Sequence, residues 1–329
     1  MLRIDFSAGD LSRLRVSKEP DPMWEVVLSL QLLQSRQAKL AFDPWRREVQ
    51  TALRRTGLTT TAAGLARLCP TAAYFPDFLT PGGTGPELEG ALDRVLSTPR
   101  RRLAEELRLL ARTTPLPPSA ARLASGDTAT LRRLGEAVRR YYAVAVAPYR
   151  EAIRSAVAAD RQPRAAAALS HGAGGLLSTF QPELVQEGDT LRCAYPVVRE
   201  LPLRGRPLTL VPSFFCVHRP VALVDPGLPP VLVYPLSPAP GWLPARGSAP
   251  RTAPARALGR LIGSTRALVL DLLDEPRTTS RIAAELGVAL ASASRHASVL
   301  REAGLITSHR DGHHVLHQRT PQGEALLNG

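Results

Sequence analysis

The stretch that decides the fold runs from Thr278 to Thr320 and reads TTSRIAAELGVALASASRHASVLREAGLITSHRDGHHVLHQRT. Thr278 and Thr279 can cap a short helix whose buried side is Ile282, Ala283 and Leu286. Gly287 then stops that helix, because glycine alone takes a left-handed backbone at little steric cost, and Val288 anchors the turn. A second helix is predicted from about Leu290 to Glu302, with Ala293, Ala297 and Leu300 stepping along one face. Ser292, Ser294, Arg295, Ser298 and Arg301 are left pointing outward. Small hydroxyls and guanidiniums of this kind read base edges and grip phosphates. Gly304 ends the second helix, and two alternating runs, Leu305–Arg310 and His314–Arg319, flank Asp311-Gly312 as a tight hairpin.

Helix, tight turn, exposed helix and two-stranded wing is the layout of a winged helix-turn-helix. The stretch resembles the ArsR-like bacterial regulators. Ser294-Arg295-His296, the run from Val299 to Ile306, and Arg310-Asp311-Gly312 stand where that family has its recognition-helix and wing motifs, and Thr320 to Glu324 matches the start of its closing helix. Two residues depart from the pattern: Ala289 stands where the family caps the recognition helix with Ser or Thr, and Ala297 replaces a larger apolar residue. A missing cap costs on the order of 1 kcal/mol, so this helix must rely on packing. His296 matches a histidine of the family's recognition helix, and His313 and His314 replace residues that are usually basic at the wing.

The 329 residues suffice for two domains with their own cores. A net charge of +13 favours an acidic partner, nucleic acid first. Only Lys18 and Lys39 are lysines, an arginine skew typical of GC-rich coding. From Arg251 onward there are ten arginines against seven acids, so the first 250 residues carry +10 of the charge. The predicted reader is therefore not the most basic part of the chain.

Working outward, Met23 to about Leu40 is predicted helical with Trp24, Val27, Leu28 and Leu32 inward, and Asp43-Pro44 starts another helix carrying Trp45, Val49 and Leu53. Helical pattern continues from Pro86 to Leu110, divided at Thr98-Pro99, and from Asp127 to Asp160 with a kink at Pro148. The run Arg100-Arg101-Arg102 reads as a solvated helix face. Thr190–Tyr195, Leu208–Pro212, Phe214–Val224 and Val231–Tyr234 read as strands. Together these predict a mainly α protein with a small antiparallel β-sheet. An N-terminal α+β domain would span residues 1–236, a Pro-rich linker 237–254, and the winged helix-turn-helix 255–329. Phe6, Asp10-Leu11, Trp24 to Val27, Leu210 to Phe214 and Val231 to Pro235 resemble an uncharacterised N-terminal domain fused to ArsR-like modules in actinobacterial regulators.

Other chemistries are weaker. Cys69, Cys193 and Cys216 form no CxxC pair, which argues for a reducing compartment over a disulfide framework. Five of the seven histidines fall in the deciding stretch, yet the helix Thr279–Leu286 has no cysteine and the last helix only Glu324, so phosphate or groove contact is more economical than a metal. Cys216 and His218 could form half a metal or thiol site, but no other ligands accompany them. His171 to Gly175 lacks the ending of a phosphate loop, and Ser213 is in no nucleophile elbow, so neither a cofactor nor an enzyme is expected. No signal peptide is expected from MLRIDFSAGD, and no window approaches the ~18 apolar residues of a membrane span, so a cytoplasmic protein is predicted.

The resulting expectation is a homodimeric regulator, a repressor by family resemblance, bound to double-stranded DNA. Ser292, Ser294, Arg295, His296, Ser298, Arg301, Arg310, His313 and His314 are its candidate contacts. The N-terminal domain would set dimer geometry or bind an unknown small-molecule effector. The alternative is a protein-assembly adaptor whose winged module binds another protein.

Overall fold

A computed structural model of the protein describes residues 1–7, 9–71, 74–82, 85–217, 219–238, 242–243, 258–259, 261–311 and 314–328. Most of the predicted linker, 237–254, lies outside the described residues, as do His218, Gly312 and His313. The fold is mainly α with small sheets. Two units separate: residues 1–37 with 49–237, and residues 38–48 with 238–329.

The first unit is built around helix α1 (Pro22–Gln34). The Asp21 carboxylate accepts the N–H groups of Met23 and Trp24 at 2.9 and 3.2 Å, and Pro22 presets the first turn. Every residue from Pro22 to Leu30 is buried. A helix without a solvent face must be covered on all sides, and α3 (Thr59–Leu68), α4 (Leu88–Leu96) and α7 (Thr128–Ala145) pack against it. Helix α2 (Lys39–Arg55) has its residues 39–48 in the second unit and 49–55 in the first. It begins ahead of Asp43-Pro44, so Asp43 is not its cap but pairs with Arg46 at 2.6 Å. The N–H that Pro44 lacks would have bonded the carbonyl of Leu40, an exposed residue that water can satisfy.

Thr98-Pro99 separates α4 from α5 (Arg100–Ala111), and α6 (Ser119–Ala124) precedes α7. At Pro148 a single 3-10 turn divides α7 from α8 (Arg150–Ser178), and Gly172 interrupts α8 with a left-handed φ of 64°.

The predicted small antiparallel sheet is two mixed four-stranded sheets. Their strands are β1 (Leu2–Asp5), β2 (Arg15–Val16), β3 (Leu184–Glu187), β4 (Thr190–Cys193), β5 (Arg199–Glu200), β6 (Thr209–Ser213), β7 (Val221–Ala222) and β8 (Val231–Pro235). The orders are β3-β4-β1-β5 and β2-β6-β8-β7, with β1–β5, β2–β6 and β6–β8 parallel. Strands β6 and β8 are buried on both faces. Continuous rather than alternating apolar runs belong to such doubly covered parallel strands. Arg164 ties α8 to β8: its guanidinium stacks 3.7 Å from the Phe180 ring centre and pairs with Asp160, which accepts the Tyr234 hydroxyl at 2.7 Å.

The predicted strand Phe214–Val224 shrinks to β7. Phe214 and Phe215 instead donate their N–H groups to the Glu25 carboxyl at 2.8 and 3.2 Å, and Ser213 Oγ bonds it at 3.1 Å. Burial pushes Glu25 up to about 7 against those three bonds, and it pushes Asp77 up to about 7 although Asp77 accepts two backbone N–H groups. Both carboxyls hold protons on folding that the unfolded chain would release. The stability present at acid pH is therefore lost as pH climbs through the interval to about 7. For Glu25, from 4.5 to about 7, this is on the order of 3 kcal/mol. The urea midpoint of this unit should fall between pH 5 and 8, and Glu25→Gln should flatten the decline. A decline as steep in the variant would remove Glu25 as its source.

Candidate nucleic-acid interface

In the second unit, α9 (Ser264–Leu272), α10 (Thr279–Leu286) and α11 (Leu290–Glu302) pack together over a core that includes Ala267, Leu270, Ile282, Ala293, Ala297 and Leu300. Thr278 caps α10 by accepting the N–H of Arg281 at 3.2 Å. Gly287 ends it with φ 63°, and Val288 N–H returns to the carbonyl of Ala283 at 3.0 Å. Ala289 opens α11 with no side-chain cap. Gly304, φ 70°, closes α11, and Leu305 N–H bonds the carbonyl of Leu300 at 2.9 Å.

Strands β10 (Ile306–Asp311) and β11 (His314–Arg319) form the antiparallel wing, with Ile306 opposite Arg319 and Asp311 opposite His314. A third strand that the sequence did not announce, β9 (Arg277–Thr278), pairs with β11 just before α10 begins. The closing helix α12 (Pro321–Asn328) starts where the Thr320 hydroxyl accepts the Gly323 N–H at 3.1 Å.

The buried stripe of α11 is Ala293, Ala297 and Leu300, each at most 2 % exposed. Opposite it Ser294, Arg295 and Arg301 are exposed, and Ser292, His296 and Ser298 are half-buried at the margins. Arg310 is exposed near the wing tip. His314 is placed by its backbone at the start of β11, and His313 lies outside the described residues.

Charge pairing sorts the arginines. Arg277 bonds Asp274 and Glu285, Arg281 bonds Glu285, and Arg319 bonds Glu324, so these hold the module together. Arg295, Arg301 and Arg310 form no ion pair among the described residues. His296 is held below its ordinary range by burial first and then by Arg266 and Arg295, so near neutral pH it offers a neutral imidazole rather than a cation.

Two residues were missed by sequence reasoning. Leu290 stands 55 % exposed at the start of α11, a large apolar side chain beside the exposed arginines. His317 is 4 % exposed and joins three elements. Its Nε2 lies 2.8 Å from Thr279 Oγ1 on α10, and its Nδ1 2.8 Å from Ser308 Oγ on β10. Burial, with Arg301 second, lowers its pKa. Nothing in the sequence set this histidine apart from its four neighbours, because the long-range Thr279 contact is what buries it.

Among the described residues no three His, Cys, Asp or Glu side chains gather as metal ligands. Cys69, Cys193 and Cys216 are free and buried, and burial raises their thiols. No described helix is long and apolar enough to cross a membrane.

A family model for a helix-turn-helix domain matches residues 262–309. That interval takes in α9, α10, α11 and most of β10. No curated protein and no solved structure matches the chain. The chain thus carries a helix-turn-helix domain, which supports a DNA-binding regulatory role over a catalytic one.

Two outcomes test this packing. A Cβ on Gly323 would lie 2.2 Å from the carbonyl oxygen of Leu305, a backbone atom that cannot swing away. Gly323→Ala should therefore cost at least about 2 kcal/mol in urea unfolding of the winged module; a neutral result would mean α12 is seated differently. His317 binds its proton more readily unfolded than folded, so the stability it contributes above 6.5 is lost as pH falls below that value. The module's urea midpoint should drop from pH 7 to 5, and a variant His317→Gln should drop less.

Proposed function

We propose that this protein is a sequence-specific, ArsR-like transcriptional regulator, a repressor that binds operator DNA as a homodimer in the cytoplasm. The observation that carries the reading is the two-sidedness of α11. Its small apolar stripe is packed away while Arg295 and Arg301 stand exposed and without an acidic partner among the described residues. An unpaired guanidinium costs nothing in water, and it is available to a base edge or a phosphate.

In this reading α11 enters the major groove. Arg295 makes the guanine contact, in the bidentate geometry that discriminates by about 1–3 kcal/mol. Ser292, Ser294 and Ser298 supply hydroxyls to base edges or phosphates, His296 a neutral donor and acceptor, and Leu290 an apolar contact. Arg301, Arg310, His313 and His314 serve the backbone, with the wing over the phosphates or the minor groove. One such module reads only a few base pairs, so two copies on a two-fold site, with half-sites about one helical turn apart, give usable specificity.

The domain boundaries belong to the same proposal: residues 1–236 act as the actinobacterial-type regulatory domain, 237–254 as a linker and 255–329 as the DNA-reading module. The first sets dimer geometry or takes a small-molecule effector whose binding shifts affinity for DNA.

Purified full-length protein titrated against its own upstream intergenic DNA is the test. Specific binding should weaken steeply with salt. Arg295→Ala should lose about 10–100-fold and relax preference at one base position, whereas Arg310→Ala should weaken all sequences alike and lower the salt slope by about 0.9. Equal affinity for random duplex, with Arg295→Ala silent, would favour an adaptor that binds protein through this module.

A further inference from the structure

The first unit carries most of the net charge, and one corner of it gathers arginines from three separate elements. Arg100 opens α5, Arg122 lies on α6 and Arg133 on the second turn of α7. All three are exposed. Arg100 packs across the α6–α7 turn, its Cβ only 3.3 Å from where a Cβ on Gly126 would be. The next residue, Asp127, caps α7 by accepting both the N–H and the hydroxyl of Thr130, at 2.8 and 2.6 Å. Its carboxyl is held below the usual range by those bonds first, and then by the charges of Arg133 and Arg122. So Arg133 and Arg122 act on one acid that is already committed to a helix cap, Arg133 also donates to Thr130 Oγ1 at 3.1 Å, and Arg100 lies against the neighbouring Gly126.

Read along the chain, Arg100-Arg101-Arg102 is a solvated helix face, and the structure divides it. Arg101 pairs with Glu105, and half-buried Arg102 pairs with Glu106 beneath the surface. Arg100, Arg122 and Arg133 form no ion pair among the described residues. The first turn of α5 holds no acid at all. Cations at a helix N-terminus oppose the macrodipole, so this arrangement costs local stability unless an anion lies over it.

We propose that the corner formed by Arg100, Arg122 and Arg133 is a second, sequence-independent contact for the phosphate backbone of duplex DNA. The helix-turn-helix module supplies the reason to choose DNA over other polyanions: in the function proposed above it brings a duplex to this chain. The corner adds counterion release and hence affinity, while base choice stays with α11. This extends the proposed regulator and can fail separately from it.

The experiment uses full-length protein and compares wild type with the triple variant Arg100→Gln/Arg122→Gln/Arg133→Gln. Kd for the upstream DNA and for a random duplex is measured from low to moderate salt. The triple variant should weaken both duplexes by the same factor. Its plot of log Kd against log salt should lose between two and three in slope, at about 0.9 for each phosphate contact. The corresponding triple lysine variant, which keeps the charges, should retain the slope. A second triple, Arg55→Gln/Arg161→Gln/Arg219→Gln, removes equal charge from other elements and should change the slope little. An unchanged slope in the first variant, or an equal loss in the second, overturns the proposal. So does a corner variant that leaves both duplexes alone while losing an acidic protein. If Arg295→Ala is silent but the corner variant still loses slope, the α11 reading falls and the corner stands. Matching urea midpoints show that each variant is folded.

Discussion

The helix-turn-helix module of this protein depends on one close approach. Ala293 and Ala297 are the buried side chains in the first two turns of α11, both to within 2 %. Methyl groups let helices come near each other, and packing energy then replaces what the missing cap at Ala289 fails to supply. Because that face is wholly engaged, the polar face has no choice of partner inside the module. Gly287 fixes the direction from which α11 arrives, and Gly304 with Gly323 fixes where the chain leaves toward the wing and the closing helix.

His317 extends that constraint to the wing. An imidazole between the Thr279 and Ser308 hydroxyls joins the start of α10, the first wing strand and the second in a single bonded chain. The short strand β9 reinforces the same junction from the other side. The hairpin is therefore held by its base, and Arg295 and Arg301 on the exposed side of α11 form no ion pair among the described residues. Arg277 and Arg319 brace this base by pairing with acids, which separates structural guanidiniums from available ones.

The winged module was legible because each of its punctuation marks acts locally. A threonine cap at Thr278 and left-handed glycines at Gly287 and Gly304 each determine their neighbours within a few residues. What escaped was long-range. Two-residue β9 has too little pattern to register as a strand, and the burial of His317 depends on a residue 38 positions away. In the first unit the cores of the helices were readable from their apolar spacing, as buried Trp24, Val27 and Val49 show. The runs Leu208–Pro212 and Val231–Tyr234 do form strands, but their parallel pairing is a long-range feature that an apolar run does not carry by itself. Glu25 gave no warning either, since its partners at Ser213, Phe214 and Phe215 lie 188 to 190 residues away in sequence. The arginine corner is the same lesson: three residues that look like ordinary surface charge become one feature only when α5, α6 and α7 are folded together.

The central claim is that the polar side of α11 lies in the major groove, and guanine-N7 methylation interference on the upstream duplex tests it most directly. Methyl groups on one or two guanines in each of two half-sites, about one helical turn apart, should abolish binding. Arg295→Ala should erase that interference at one of these guanines in each half-site. Binding that is indifferent to N7 methylation at every position would contradict the account.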